Sequence, residues 1–530
     1  MADPFEPTGP SEVTGPPTPP GPPTPPGPPT PPGPPESLVR TTVRGIGLAG
    51  AGYIGSQILN FLAYLVLVRL LDPKDFGLYA AGTVITGITS LFAESGMLAA
   101  LITRKDQIDE AASTAFVSLA LTGIGLTCAS LAVSPLLGLA FHSGEVAMIT
   151  AVLSGWLFVR ALTIVPDALL QRNFSFARRV IVDPAGVLAY AAASIPLAAT
   201  GAGVWAMVAG SYASILTQAI GAWLACGFRP KLRLASFAMW RELASFSRLL
   251  VIGEVLYRVK VQIDTFMLGR FSGAATLGQY RNGMMLASQP SAAFGSVAAY
   301  VILPAFARIS GDSQRLSSAA RRGFAVTEVA IVPVAVGCIP LGVPVAVILM
   351  GDRWRVAGHV IAGLCGLVLG NAMISVSGEL MKATSALRLQ LVVEIIWFVL
   401  TAVTVTIAAL LWGAVAVAIA VSLSTCLTAA YAVARIAIDL SLPLGEMLVE
   451  LTTTVIAAAV MAVAIWALNT DVDVLARPEL VAVLVLIADG LVGLVVYVAT
   501  LVAIDPQRRA GGLVLARRLR ERVRPRPAPG

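Results

Sequence analysis

Two histidines, His142 and His359, are all that 530 residues contain, and they lie far apart in the chain. A zinc site built on imidazole, or a Ser-His-Asp hydrolase, has almost no material here. The five cysteines, Cys128, Cys226, Cys338, Cys365 and Cys426, sit in apolar stretches without a Cys-x-x-Cys pair. They read as small core hydrophobes rather than as ligands or a disulfide framework. No Gly-x-x-x-x-Gly-Lys segment occurs, which argues against an intrinsic P-loop ATPase. Charge is scarce as well: 13% of residues are charged against 57% hydrophobic, with a mean hydropathy of +0.82. So little polar surface cannot solvate a soluble enzyme, and the chain belongs in a membrane.

The net charge of +7 is local. Residues 507–530 carry eight arginines against one acid, Glu521, and the rest of the chain is balanced. A nucleic-acid footprint, which needs a basic patch on a folded surface, is therefore unsupported. At the other end, residues 15–32 read Gly-Pro-Pro-Thr-Pro-Pro three times. Such a segment forms neither helix nor ladder and is expected to be an extended or disordered cytoplasmic tail, a spacer or a docking site for a proline-recognising partner. It carries no signal-peptide pattern.

Apolar runs of membrane-crossing length follow. They fall near 45–70, 76–101, 112–134, 146–170, 180–200, 203–226, 243–268, 277–306, 324–350, 357–381, 389–411, 413–434, 446–468 and 480–504, an expected fourteen helices. With an inside N-terminus, the inside segments collect 26 Lys and Arg and the outside connections six. Both termini are expected in the cytoplasm. Leu515, Leu519 and Val523 recur every four residues among the tail arginines, the pattern of a basic interfacial helix on anionic lipid.

The chain also repeats itself. Leu67, Arg69, Gly77 and Tyr79 recur as Leu268, Arg270, Gly278 and Tyr280, with Phe76 matched by Leu277, at a constant offset of 201. Six helices separate the copies, so both halves enter the membrane with the same polarity. The expected fold is an all-α polytopic membrane protein with two pseudo-symmetric six-helix lobes and two C-terminal helices. Its expected divisions are a Pro-rich tail at 1–37, lobes at 38–227 and 228–437, two further helices at 438–506 and a basic tail at 507–530.

Residues 67–106, with Leu71, Pro73, Asp75, Phe76, Gly77, Gly96 and Ala100, resemble the first hairpin and second helix of the Wzx-like polysaccharide flippases. These belong to the multidrug/oligosaccharidyl-lipid/polysaccharide exporter superfamily. The segments at 264–280 and 301–312 resemble the start of that family's second lobe and the cytoplasmic turn after it. The resemblance covers roughly 38–450 and implies a transporter of the bacterial cytoplasmic membrane. Its implied substrate is an undecaprenyl-diphosphate-linked oligosaccharide, moved from the inner to the outer leaflet by alternating access for surface polysaccharide synthesis. Membrane lipids, a polysaccharide polymerase and glycosyltransferases are implied partners. No cofactor is expected; energy would come from a proton or sodium gradient or from consumption of the product. A drug exporter of the same superfamily is the alternative. A membrane glycosyltransferase or polymerase would have to rest on Asp471-Val472-Asp473, in an outside loop too short for a catalytic domain.

Ionisable groups within spans are costly and so mark cavities or partners. The seventh run holds Arg248, Glu254, Arg258, Lys260 and Asp264. On a helical wheel centred on Glu254, Arg258 and Gln262 fall within about 80° on one side and Tyr257, Asp264 and Lys260 within about 120° on the other, opposite an apolar face. Glu254 with Arg258 and Lys260 with Asp264 stand at i,i+4, as neutralised pairs would. Arg258 and Lys260, with Arg281 and Arg160, are the candidate substrate-binding cations. Glu94, Glu254, Asp264 and Asp167 are the candidate coupling or gating acids, Arg160 and Asp167 sharing one helical face. Glu328, Glu379, Glu394 and Asp489 are further intramembrane acids.

Overall fold

The computed structural model describes residues 52, 55–94, 101, 106–172, 181–309, 311–471 and 478–504, with backbone alone at 91–94, 232, 243–254, 296–304, 307 and 470–471. The described residues build helices without strands: α1 55–70, α2 Pro73–Gly82, α3 Val84–Glu94, α4 Ile108–Ala140, α5 Gly144–Arg172, α6 Asp183–Ala199, α7 Val204–Cys226 and α8 Phe237–Ile309. There follow α9 Ser313–Met350, α10 Arg355–Gly363, α11 Cys365–Ala383, α12 Leu387–Leu411, α13 Ala414–Asp439, α14 Leu444–Asp471 and α15 Glu479–Ile504. Seven of these are long and apolar enough to cross a membrane, or eight if α10 and α11, bent by 46° at Leu364, make one crossing. Their outer faces carry Leu121, Leu136, Val463 and Val495, each more than half exposed, as lipid contact demands. The protein is a multi-pass helical membrane protein. Both tails, including the Pro-rich repeat and the arginine cluster, lie outside the described residues.

Local chemistry explains the resemblance motifs. Asp72 precedes α2 with Pro73 in its first turn, and the Asp72 amide donates to Asp75 Oδ2 at 3.1 Å, so Asp-Pro-Lys-Asp starts a helix. Asp312 caps α9, accepting the Arg315 amide at 3.0 Å. In the second copy the counterpart of Asp72 is Gly273. There α8 breaks at φ 82°, a left-handed value that glycine alone adopts without strain.

The two copies meet face to face. A Cβ on Gly77 would overlap the carbonyl of Ala274, and one on Gly278 the carbonyl of Pro73. Since 274 and 278 are 73 and 77 displaced by the repeat offset, the two contacts are one contact used twice, the signature of a two-fold relation. Neighbouring contacts follow suit. Arg69 donates to the carbonyls of Ile348 and Leu349 at the end of α9 (2.8 and 3.1 Å), while Arg270 reaches His142 Nδ1 just past the end of α4 (2.9 Å). Phe141 packs edge-on against Phe266, and Trp354 edge-on against Phe76. Trp354 is fully buried and donates to the Val68 carbonyl at 2.9 Å; beside it Arg353 pairs with Asp72 at 2.8 Å. These residues sit at the end of the bundle expected to face outside. The contacts hold that end shut around a core of Leu78, Leu268, Leu277 and Tyr280.

Candidate substrate cavities

The equivalent tyrosines stand at different cavities, Tyr79 in the wall of one and buried Tyr280 behind the wall of the other. Tyr79 helps line one of about 580 Å³ between α2, α3, α5, α6 and α7. Tyr280 stands beside one of about 400 Å³ between α8, α11, α12 and α13, where Lys260, Asp264 and Arg281 contribute to the wall. The helix that supplies Lys260 divides them. Tyr257, Lys260, Val261 and Asp264 face the second cavity, and Gln262, on the opposite side of α8, faces the first. The polar arc seen on the wheel thus serves two spaces rather than one.

In the second cavity Lys260 is 5% exposed. Its ammonium stands over the ring of Trp397 and 3.6 Å from Glu394 Oε2. A buried cation needs this company, because the ring's negative face and the carboxylate replace part of the lost hydration. Trp397 is itself fixed by an Nε1–H bond to Thr425 Oγ1 at 3.3 Å. The expected i,i+4 partner, Asp264, is engaged elsewhere. Its Oδ1 accepts the Thr265 amide at 2.6 Å and its Oδ2 the Tyr280 hydroxyl at 2.6 Å, with the Arg281 guanidinium in electrostatic range. Helical spacing alone made Asp264 the natural partner for Lys260, but the buried Tyr280 hydroxyl occupies it, and Lys260 turns to α12. Arg258 is half-buried on α8, outside the residues that line the two cavities. The side chains of Glu254 and Glu94 lie outside the described residues.

In the first half Arg160 lines the larger cavity and pairs with buried Asp167 at 3.3 Å, so the shared helical face is a shared ion pair. Glu379 is buried and held by Lys382 at 2.9 Å. It shares a small third cavity of about 250 Å³ with Glu394, which therefore stands between that space and Lys260. Glu328 and Asp489 are buried against neighbouring helices. Sequence reading missed Trp397, although Glu394-x-x-Trp397 places an acid and an aromatic on one helical face in an otherwise apolar run. Among the described residues no cluster of His, Cys, Asp or Glu could hold a metal ion.

Residues 66–359, more than half of the chain, match a family described as Polysaccharide biosynthesis protein. The chain belongs to that family. Its Rhizobium meliloti relative, "Succinoglycan biosynthesis transport protein ExoT", is 24% identical over 62% of this chain and 67% of the relative. "Lipopolysaccharide biosynthesis protein WzxC" of Escherichia coli is 22% identical over 66% and 71%. Among solved structures, the chain shares its fold with a lipid II flippase, MurJ, in an inward closed conformation (TM-score 0.70, 13% identity, 86% of this chain and 98% of the other). An inward-facing multidrug transporter of the MATE family and MOP superfamily is more distant in fold (TM-score 0.50, 16% identity, 73% and 94%). The family match spans both copies of the repeated hairpin and all of α4 to α8, so it contains the reciprocal contact and the cation that lies beneath it.

Proposed function

We propose that this member of the polysaccharide biosynthesis family is a flippase. It moves an undecaprenyl-diphosphate-linked oligosaccharide across the bacterial cytoplasmic membrane by alternating access, as a transporter and not an enzyme. The observation that carries the reading is the pair of cations, Lys260 and Arg281, in the wall of one cavity. A diphosphate stripped of water inside a membrane protein needs fixed positive charge. Lys260 can provide it without leaving a naked acid: the incoming phosphate takes the ammonium while Glu394 turns toward its own small cavity. Trp397 keeps the amine in place throughout. The reading includes fourteen crossings arranged as two six-helix lobes and a final pair, both termini in the cytoplasm, and coupling to a proton or sodium gradient. Handover to a polymerase outside and supply by glycosyltransferases inside complete the scheme.

A strain deleted for the gene tests it. The lipid-linked intermediate is expected to accumulate on the inner leaflet, and export is expected to return with the wild-type chain but not with Lys260→Ala, Arg281→Ala at equal membrane abundance. Accumulation on the outer leaflet overturns the reading. Unaltered surface polysaccharide with new drug sensitivity does so as well, in favour of drug export.

A further inference from the structure

The cavity of the first half offers an anion less than the second does. Among the described residues of its wall Arg160 is the one charged side chain, held 3.3 Å from Asp167, where the second wall carries both Lys260 and Arg281. It is unsuited to an apolar guest, which would bury hydroxyl and amide groups without partners at a cost of several kcal/mol. Thr83, Thr86 and Ser90 lie along one face of the α2–α3 segment, and each donates its own proton to a helix carbonyl (2.9, 2.9 and 3.2 Å). Their oxygens therefore face the cavity as acceptors only. Across from them Gln218 spends one amide hydrogen on Ser214 at 3.0 Å and keeps another, with its carbonyl. The rings of Trp156 and Tyr190 complete the wall.

Fixed acceptors, an amide with both donor and acceptor to spare, and aromatic faces are the complement of a pyranose. Such a ring carries hydroxyls that both donate and accept around its edge and presents C–H groups on its faces. We propose that this cavity is a carbohydrate-binding site, taking uncharged sugar residues of the lipid-linked oligosaccharide while the cavity at Lys260 takes the diphosphate. The assignment rests on the flippase reading and deepens it. A volume of about 580 Å³ is within the range of small-ligand sites. Gln262 reaches this cavity from the second half, two residues from Lys260 on the same helix, so α8 touches both parts of one ligand.

The test uses the full chain, purified in a sugar-free detergent and placed in nanodiscs of neutral phospholipid. One probe is an array of neutral and acidic oligosaccharides, the other radiolabelled pyrophosphate. The wild-type chain is expected to retain neutral glycans. Thr86→Val with Gln218→Leu is expected to lose about tenfold or more of that binding, as the loss of two hydrogen bonds implies, with pyrophosphate binding unchanged. Lys260→Ala is expected to do the reverse. Should the double variant fail to assemble, Ser90→Ala and Trp156→Phe, tested singly, are each expected to weaken glycan binding several-fold. The proposal is overturned if no arrayed glycan is retained, if acidic glycans are preferred, or if these variants bind glycan as the wild type does. Glycan binding that follows the first-cavity variants while pyrophosphate ignores Lys260 supports the carbohydrate site and defeats the diphosphate reading alone.

Discussion

Trp354 offers a direct measure of how firmly this end of the bundle is held shut. It is fully buried, its indole N–H donates to the Val68 carbonyl at 2.9 Å, and its ring meets Phe76 edge-on at 5.4 Å; both partners belong to the first copy of the repeat. Only such cross-half contacts change the balance between closed and open, because packing within a half survives in both states. The hydrogen bond contributes about 1 kcal/mol and the aromatic pair about 0.5–1.5 kcal/mol. Trp354→Ala is thus expected to shift the closed-to-open ratio by about 1.5–2.5 kcal/mol, roughly tenfold to seventy-fold. Trp354→Phe keeps a ring and loses the hydrogen bond, so it is expected to shift the ratio about fivefold. Arg353→Ala, by contrast, removes a largely exposed ion pair to Asp72, worth at most about 1 kcal/mol, along with a 2.7 Å hydrogen bond to the Arg69 carbonyl.

The assay is modification of a single cysteine at Ala357, a position with no exposure in the closed end, by an impermeant maleimide added outside, in a chain whose five cysteines are replaced. Labelling rate reports the open fraction when opening and closing are fast. An increase of at least tenfold in Trp354→Ala, and a smaller one in Trp354→Phe, is expected. Equal labelling in wild type and Trp354→Ala, with both inserted normally, would refute the claim that these contacts set the closed state.

Four further outcomes are expected. Lys260→Met leaves Glu394 without its cation and is expected to lower membrane abundance, a broken buried pair costing about 3–5 kcal/mol; adding Glu394→Gln is expected to restore abundance on an immunoblot but not export. Arg258→Met, outside both cavities, is expected to cost less export than Lys260→Met. Cysteines at Ser143 and Asn469 are expected to label from outside and one at Ser313 not, the reverse pattern overturning the topology. Removal of the chain from Gly512 is expected to reduce stability or assembly while sparing transport; complete loss of transport in a correctly inserted truncation would refute a peripheral role for the tail.

Helices and repeat were legible in the sequence because their signals are local. A run of apolar residues reports its own length, Asp-Pro-Lys-Asp announces a helix start by its own caps, and a constant offset needs no third dimension to be seen. Within the membrane, spacing put Arg160 and Asp167 on one helical face, and the ion pair between them appears only in three dimensions. Lys260 shows why the rest was hidden. Its i,i+4 neighbour was the obvious partner, yet the choice was decided by Tyr280 after the Gly273 break and by Glu394 and Trp397, more than 130 positions away in the chain. Spacing ranks local candidates, and burial then lets a distant hydroxyl outbid them.

The duplication itself carries a functional consequence. Tyr79 and Tyr280 hold equivalent places, but the first shares a hydrogen bond with Ser211 at 2.7 Å and the second donates to Asp264. Ser211 lies on α7 and Asp264 on α8, so the equivalent tyrosines meet partners that the repeat does not relate, a hydroxyl in one half and a carboxylate in the other. With Asp264 buried, a cation must stand near, and Arg281 follows Tyr280 directly in the chain. In the first half the residue after the equivalent tyrosine is Ala80, and no compensating charge is needed beside Ser211. The closing surface kept its symmetry because Gly77 and Gly278 must fit one another's partners, and a change on one side alone would force backbones apart. The cavities were under no such mutual constraint. They were free to diverge, which is the arrangement a carrier needs if its ligand has one charged end and one uncharged end.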